Sequence, residues 1–181
     1  MEIKEVICYI TKEVQETLQR VDQKVVDEII DSIIGAKKIF LYGVGRSGLV
    51  GQAFAVRLVQ MGLDVHFIGE MTTPIVEEKD LVIIVSNTGE TMSAIQTANI
   101  VRRVGAKVIA ITSNVHSKLS QASNVTVEIA PKKDEQKKRY APLGTLFEDS
   151  TFLFFDCIVP IIMARLGQNE TSLRRRHAIW V

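Results

Sequence analysis

Five short apolar stretches alternate with helical stretches between residues 39 and 129, and few folds accept that alternation. The clearest is LVIIV, Leu81 to Val85, five apolar residues in a row. A strand that is apolar on both sides of its pleat is buried on both faces, as happens in parallel sheets. Strands are expected at Ile39–Tyr42, Val65–Ile68, Leu81–Val85, Val108–Thr112 and Val125–Ile129. Helices are expected at about 47–61 and 91–104, closed by Gly62 and Gly105, with a short one at 117–122. Strands separated by helices imply a parallel sheet with helices on both faces. The expected fold is α/β, a three-layer α-β-α sandwich with a five-stranded parallel sheet and extra helices at both termini.

The flanks fit that plan. Val6, Ile10, Val14 and Leu18, then Val25, Val26, Ile29, Ile30 and Ile33, recur at the 3.6-residue period over residues 2–34. Asp22 would cap the second of these helices and Gly35 would end it. A long helix is expected over 145–166, kinked at Pro160, and a last short one starts at Asn169 or Thr171. The charged run PKKDEQKKRY, 131–140, reads as a solvated loop. The chain of 181 residues is expected to be one domain, 1–181.

Bulk properties exclude some partners. Net charge is +1 with 24% charged residues, which argues against wholesale binding of nucleic acid or an anionic membrane. The most apolar stretch, Phe152 to Ala164, is broken by Asp156 and Pro160 and is too short to span a bilayer. The first residues carry no signal-peptide pattern, so a cytoplasmic protein is expected. Cys8 and Cys157 sit in apolar helical surroundings and read as reduced, buried thiols, with no zinc site.

Two strand-to-helix loops carry the chemistry. In YGVGRSG, 42–48, Gly43, Gly45 and Gly48 match G-x-G-x-x-G, and Glu70 lies near where a ribose-binding acid would be. A dinucleotide-binding fold is therefore a rival reading. It leaves no room for a substrate domain and does not explain the second loop, SNTGET, 86–91. There Ser86, Thr88 and Thr91 surround Gly89 at the mouth of a helix. Helix N-termini present unpaired N–H groups and positive potential, so hydroxyls and a glycine there suit an anion such as phosphate. Ser47, at the mouth of the first helix, would add a fourth hydroxyl. The competing structural reading is a capping box, Asn87 with Glu90 three residues on. It accounts for fewer of these side chains. No P-loop pattern is present, which argues against nucleoside triphosphate chemistry.

The blocks GVGRSG (43–48), FIGEMTTP (67–74), SNTGET (86–91), PLGTLFE (142–148) and RRRH (174–177) resemble the sugar isomerase (SIS) domain, a flavodoxin-like phosphosugar-binding fold. Within it, nearly the whole chain is similar to the 6-phospho-3-hexuloisomerases. Asn87 stands where that family often has glycine, and the residues after His177 differ from its usual tail.

The resemblance implies interconversion of D-arabino-hex-3-ulose 6-phosphate and D-fructose 6-phosphate through a cis-enediolate, without a cofactor or metal. Glu148 is the expected base, although a first-turn acid also complements a helix dipole. His177, whose ordinary pKa lies near neutrality, is the second catalytic candidate, for ring opening or proton shuttling. Ser47, Ser86, Asn87, Thr88 and Thr91 would bind the phosphate. Gly45 and Arg46 are weaker substrate-binding candidates, and Arg46 would instead meet the enediolate or another subunit. Glu70 would hold loops, Thr72 and Thr73 would line the pocket, and His66 and His116 read as structural. The family implies a homotetramer whose site is completed by a neighbour's His, and a functional link to a hexulose-6-phosphate synthase. Remaining alternatives are a SIS isomerase for another sugar phosphate and a non-catalytic phosphosugar sensor, which would keep the hydroxyl loop but need no base.

Overall fold

The structure is a computed structural model, and it describes residues 1–177. Five strands, β1 (Ile39–Gly43), β2 (Val65–Phe67), β3 (Leu81–Val85), β4 (Lys107–Thr112) and β5 (Val125–Glu128), form one sheet. Their order is β2-β1-β3-β4-β5, and every pairing is parallel. Helices α1 (Ile3–Leu18) and α2 (Gln23–Gly35) precede the sheet, and α3 (Arg46–Gln60), α4 (Met92–Val104) and α5 (Lys118–Gln121) connect its strands. α6 (Glu135–Tyr140), α7 (Thr145–Arg165) and α8 (Glu170–Arg175) follow.

The period-2 pattern of the strands divides the core in two. Leu41, Ile83, Val85, Ile109 and Val127 face one layer, where α2, α3 and α7 contribute Ile29, Ile33, Phe54, Leu58, Phe154 and Phe155. Phe40, Val82, Ile84, Val108 and Ala110 face the other, covered by Ala94, Ala98 and Val101 of α4 and Leu119 of α5. All five residues of β3 are buried, as a central strand covered on both faces requires. Phe54 and Phe155 stack with ring centroids 4.1 Å apart, fastening α3 to α7.

Because α3 leaves β1 for one face and α4 leaves β3 for the other, a crevice opens beyond the carboxyl ends of these adjacent strands. Open α/β sheets bind ligands at this switch point. The register Gly43↔Val85 brings both strands to their ends together, so their loops face each other.

Several local expectations hold and others need correction, β5 among them, which ends at Glu128 rather than Ile129. Asp22 caps α2 by accepting from Lys24 N at 2.9 Å, and Asn169 caps α8. Pro160 lies inside α7 without ending it. The run 131–140 is not all loop: α6 forms there, capped by Asp134, which also accepts the Tyr9 hydroxyl at 2.9 Å. That tie to α1 holds a helix with no buried residue of its own. Burial, and then the hydrogen bond to the Asp134 carboxylate, push the Tyr9 phenol's pKa up. Strand β2 stops at Phe67, one residue short of the expected end, with Ile68 only bridging to Glu70. Cys8 and Cys157 are free thiols but exposed, because they lie on the outward faces of α1 and α7. Among the described residues no helix is long and apolar enough to cross a membrane.

Candidate active site

The turn from β1 into α3 is built on close backbone approach. A Cβ on Gly43 would lie 2.8 Å from Gly48 N, and one on Gly48 would lie 2.5 Å from Gly43 O. Gly45, the N-cap of α3, has φ 60 and ψ −136, a conformation that only glycine adopts readily. Arg46 and Ser47 therefore start the helix against the strand end, and Ser47 is buried.

The turn from β3 into α4 is pinned from β4. Ser86 N donates to Ile111 O at 3.0 Å. The carbonyl of Asn87 accepts from Ser113 N, Ser113 Oγ and Thr112 Oγ1 at 3.0, 2.7 and 3.1 Å. Ser113 Oγ also reaches Asn87 Oδ1 at 2.9 Å, so this side chain anchors the loop as well as lining the pocket. Gly89 has φ 65, and a side chain there would run into Ser117. The capping-box reading of Asn87 and Glu90 fails here. The α4 cap is Thr91, which makes no capping bond, and the Glu90 carboxylate turns outward to Lys118 N and Nζ at 3.1 and 3.2 Å. These contacts hold the Glu90 carboxyl below the ordinary carboxylate range.

The hydroxyls are therefore not consumed by capping. Ser86 Oγ and Thr91 Oγ1 lie 3.2 Å apart, and with Ser47, Asn87 and Thr88 they line a cavity of about 140 Å³ closed by Val44, Val85 and Ala94. The space suits one phosphate group, with neutral hydroxyl donors and two helix N-termini around it.

Glu148, in the first turn of α7, stands next to this cradle. Its Oε2 accepts from Arg46 Nε at 2.5 Å and its Oε1 is 3.4 Å from Ser47 Oγ. Ser47 thus touches both the cavity and the carboxylate. Arg46 Nη2 also lies 3.7 Å from Asp149 Oδ1. Its hydrogen bond to Glu148 and the surrounding negative charge raise the pKa of Arg46, while burial pushes the Asp149 carboxyl up. The carboxylate is buried, paired with Arg46 and one residue from the cradle, so it stands within reach of a molecule bound there.

A pattern of caps marks the same place. α2, α5, α6 and α8 each receive a side-chain bond from Asp22, Ser117, Asp134 and Asn169. α3, α4 and α7, whose N-termini carry Ser47, Thr91 and Glu148, receive none. First-turn amides without a side-chain acceptor are open to water or to a bound anion.

Other expected residues lie elsewhere. His177 lines a groove between α3 and α7 with Phe54, Arg57, Phe155 and Asp156, not the cradle of its own chain. Glu70 and His66 line a neighbouring groove of about 670 Å³ along β2. His66 Nε2 lies 2.9 Å from Asp64 Oδ1, and Thr73 Oγ1 donates to Phe67 O and Glu70 O, both local structural contacts. Asp149, Thr112 and Ser113 were not foreseen. Thr112 ends β4 and Ser113 follows it, beside SNTGET, a position only the sheet order reveals.

The chain is similar to known proteins over most of its length. The SIS domain family matches residues 32–155. A Methanocaldococcus jannaschii protein named 3-hexulose-6-phosphate isomerase is 38% identical over 151 residues, covering 83% of this chain and 81% of the relative. A Bacillus subtilis protein of the same name is 32% identical over 182 residues, covering 98% of each. A crystal structure of a Methanococcus jannaschii protein, from which that same activity was inferred, superposes with a TM-score of 0.88 at 32% identity, covering 98% of this chain and 99% of that one.

Proposed function

The chain belongs to the SIS domain family, and on that premise we propose that it is a sugar-phosphate isomerase interconverting D-arabino-hex-3-ulose 6-phosphate and D-fructose 6-phosphate. The observation that carries the reading is Ser47, which lines the hydroxyl cradle while its Oγ lies 3.4 Å from Glu148 Oε1. A phosphate and a base are thereby held at the separation of one side chain. The names of the relatives support the choice of substrate.

The substrate phosphate sits among Ser47, Ser86, Thr88 and Thr91, and the open-chain sugar extends toward Glu148. Glu148 removes the proton from C2. The C–H electrons form the C2–C3 double bond, and the C3 carbonyl oxygen takes the negative charge. Glu148 then returns the proton to C3, while the O2 proton passes to O3 and the carbonyl forms at C2. As Glu148 is neutralised, the Arg46 guanidinium is released toward the enediolate, whose charge it offsets. No residue needs to change oxidation state.

His177 enters this scheme from a neighbouring subunit, helping ring opening or carrying the proton between oxygens. The exposed apolar side chains Val56, Val59, Phe152 and Leu153 on α3 and α7 support assembly through the face that carries it, and a tetramer fits the family. A hexulose-6-phosphate synthase in the cytoplasm would be the functional partner.

A coupled assay tests the proposal. Ribulose 5-phosphate, formaldehyde and a hexulose-6-phosphate synthase generate the hexulose phosphate. Phosphoglucose isomerase and glucose 6-phosphate dehydrogenase report fructose 6-phosphate as NADPH. NADPH that appears only with this protein, EDTA present, and that Glu148→Gln abolishes without loss of fructose 6-phosphate binding, is the expected result. Binding without turnover in the parent protein would instead leave a different sugar phosphate or a sensor.

A further inference from the structure

The turn that starts α7 is unfavourable at two consecutive positions. Leu143 has φ 57, in the left-handed region that disfavours side chains, and is 91% exposed, so no packing offsets the strain. Gly144 follows as the N-cap of α7 and supplies no capping bond, where Ser, Asp or Asn would. The backbone does not ask for glycine, because φ −90 and ψ 4 is the conformation of the third residue of a type I turn, which most residues adopt.

What the position cannot hold is a Cβ. An added Cβ would lie 2.8 Å from Glu148 Oε1, 3.1 Å from its Cδ and 3.2 Å from its Oε2. All of its nearest neighbours belong to Glu148. The carboxylate folds back over the helix start and reaches Arg46 and Ser47 only because residue 144 is bare.

We propose that Gly144 is a positioning residue: its missing side chain seats the Glu148 carboxylate between Arg46 and Ser47, facing the cradle. The inference rests on the reading of Glu148 as base. The Glu148 backbone is tied by its own N–H to Gly144 O at 2.9 Å. The carboxylate is the free end of a flexible side chain. A methyl group at 144 therefore moves the carboxylate and leaves the helix in place.

The test is Gly144→Ala, with Gly35→Ala as a control glycine that has nothing within 4 Å of its added Cβ. Gly144→Ala should lower kcat by about 10²-fold, the usual consequence of displacing a reacting group by an ångström. KM and the thermal shift given by fructose 6-phosphate should stay at the parent values, a split that general damage to the fold would not produce. Gly35→Ala should match the parent throughout. A parent-like kcat in Gly144→Ala, or equal losses in kcat and binding, overturns the proposal. If the parent protein does not turn over the hexulose phosphate, the functional reading has failed, and a crystal structure of Gly144→Ala decides the positioning alone. A carboxylate displaced from Arg46 and Ser47 upholds it, and one left in place overturns it.

Discussion

Arg46 Nε stands 2.5 Å from Glu148 Oε2, across 102 positions of sequence, and its Nη2 stands 3.7 Å from Asp149 Oδ1. One guanidinium thus spans two consecutive carboxylates at the start of α7. The Arg46 side chain is 63% exposed but that of Glu148 only 10%, so removing the guanidinium leaves a buried carboxylate without its charge partner. Arg46→Ala should therefore cost about 1–3 kcal/mol in urea unfolding and lower kcat on the order of 10²-fold, as loss of an enediolate-stabilising donor does. Arg46→Lys should recover only part of it, since an ammonium cannot span both carboxylates. A variant with normal turnover would remove Arg46 from the chemistry.

The hydroxyl pair Ser86 and Thr91 gives a second expectation. Ser86→Ala and Thr91→Val should each weaken fructose 6-phosphate binding roughly 10-fold, the usual effect of one hydrogen bond to a charged group. The two hydroxyls touch each other, so the double variant should lose less than the sum of the single effects. Isothermal titration calorimetry measures both quantities. Additive losses would mean that the two hydroxyls act separately.

Gly48 should be intolerant of any side chain. Its Cβ would press on the Gly43 backbone, which the strand holds fixed, so Gly48→Ala should cost about 1–3 kcal/mol in chemical denaturation. Gly35→Ala, with open space around it, is the contrasting case.

Two carboxyls should give opposite pH signatures. The Glu90 value is lowered in the folded state by Lys118, so its contribution is present above about pH 4.3, the unfolded value, and fades as pH falls through the folded one. Glu90→Gln should be less stable than the parent at neutral pH and converge with it in acid. The Asp149 value is raised by burial, so its charge opposes folding increasingly as pH rises above about 3.9. Asp149→Asn should gain stability over the parent through that window and hold the gain at neutral pH. Thermal melts across pH 3 to 8 check both, and parallel curves would contradict the assignments.

Much of the architecture was readable because the strands carry their burial in composition: LVIIV is apolar throughout and is buried throughout. The cradle was readable as a surplus of hydroxyls beyond what a helix cap uses. Its pinning was not, because the Asn87 bonds come from Ser113, whose proximity depends on β3 pairing with β4. Helix α6 was hidden within a charged run because its anchor is a distant tyrosine rather than an apolar face. Without the family resemblance Glu148 reads equally as a base and as a first-turn acid that complements the helix dipole. Cys8 lies off the apolar face of α1 marked by Val6, Ile10 and Val14, while the exposure of Cys157 depends on which face of α7 packs inward, which an all-round apolar stretch leaves open.

The distribution of helix caps bears on attempts to make this protein more heat-resistant. Filling an empty cap is a standard stabilising substitution. Among the helices after α1, the empty caps are at Gly45, Thr91 and Gly144, and these three border the cradle or Glu148. A screen selecting only for survival at high temperature would be drawn to these positions and would harvest inert proteins. A screen that also demands turnover would have to find its gains elsewhere, and α2, α5, α6 and α8 have already used theirs.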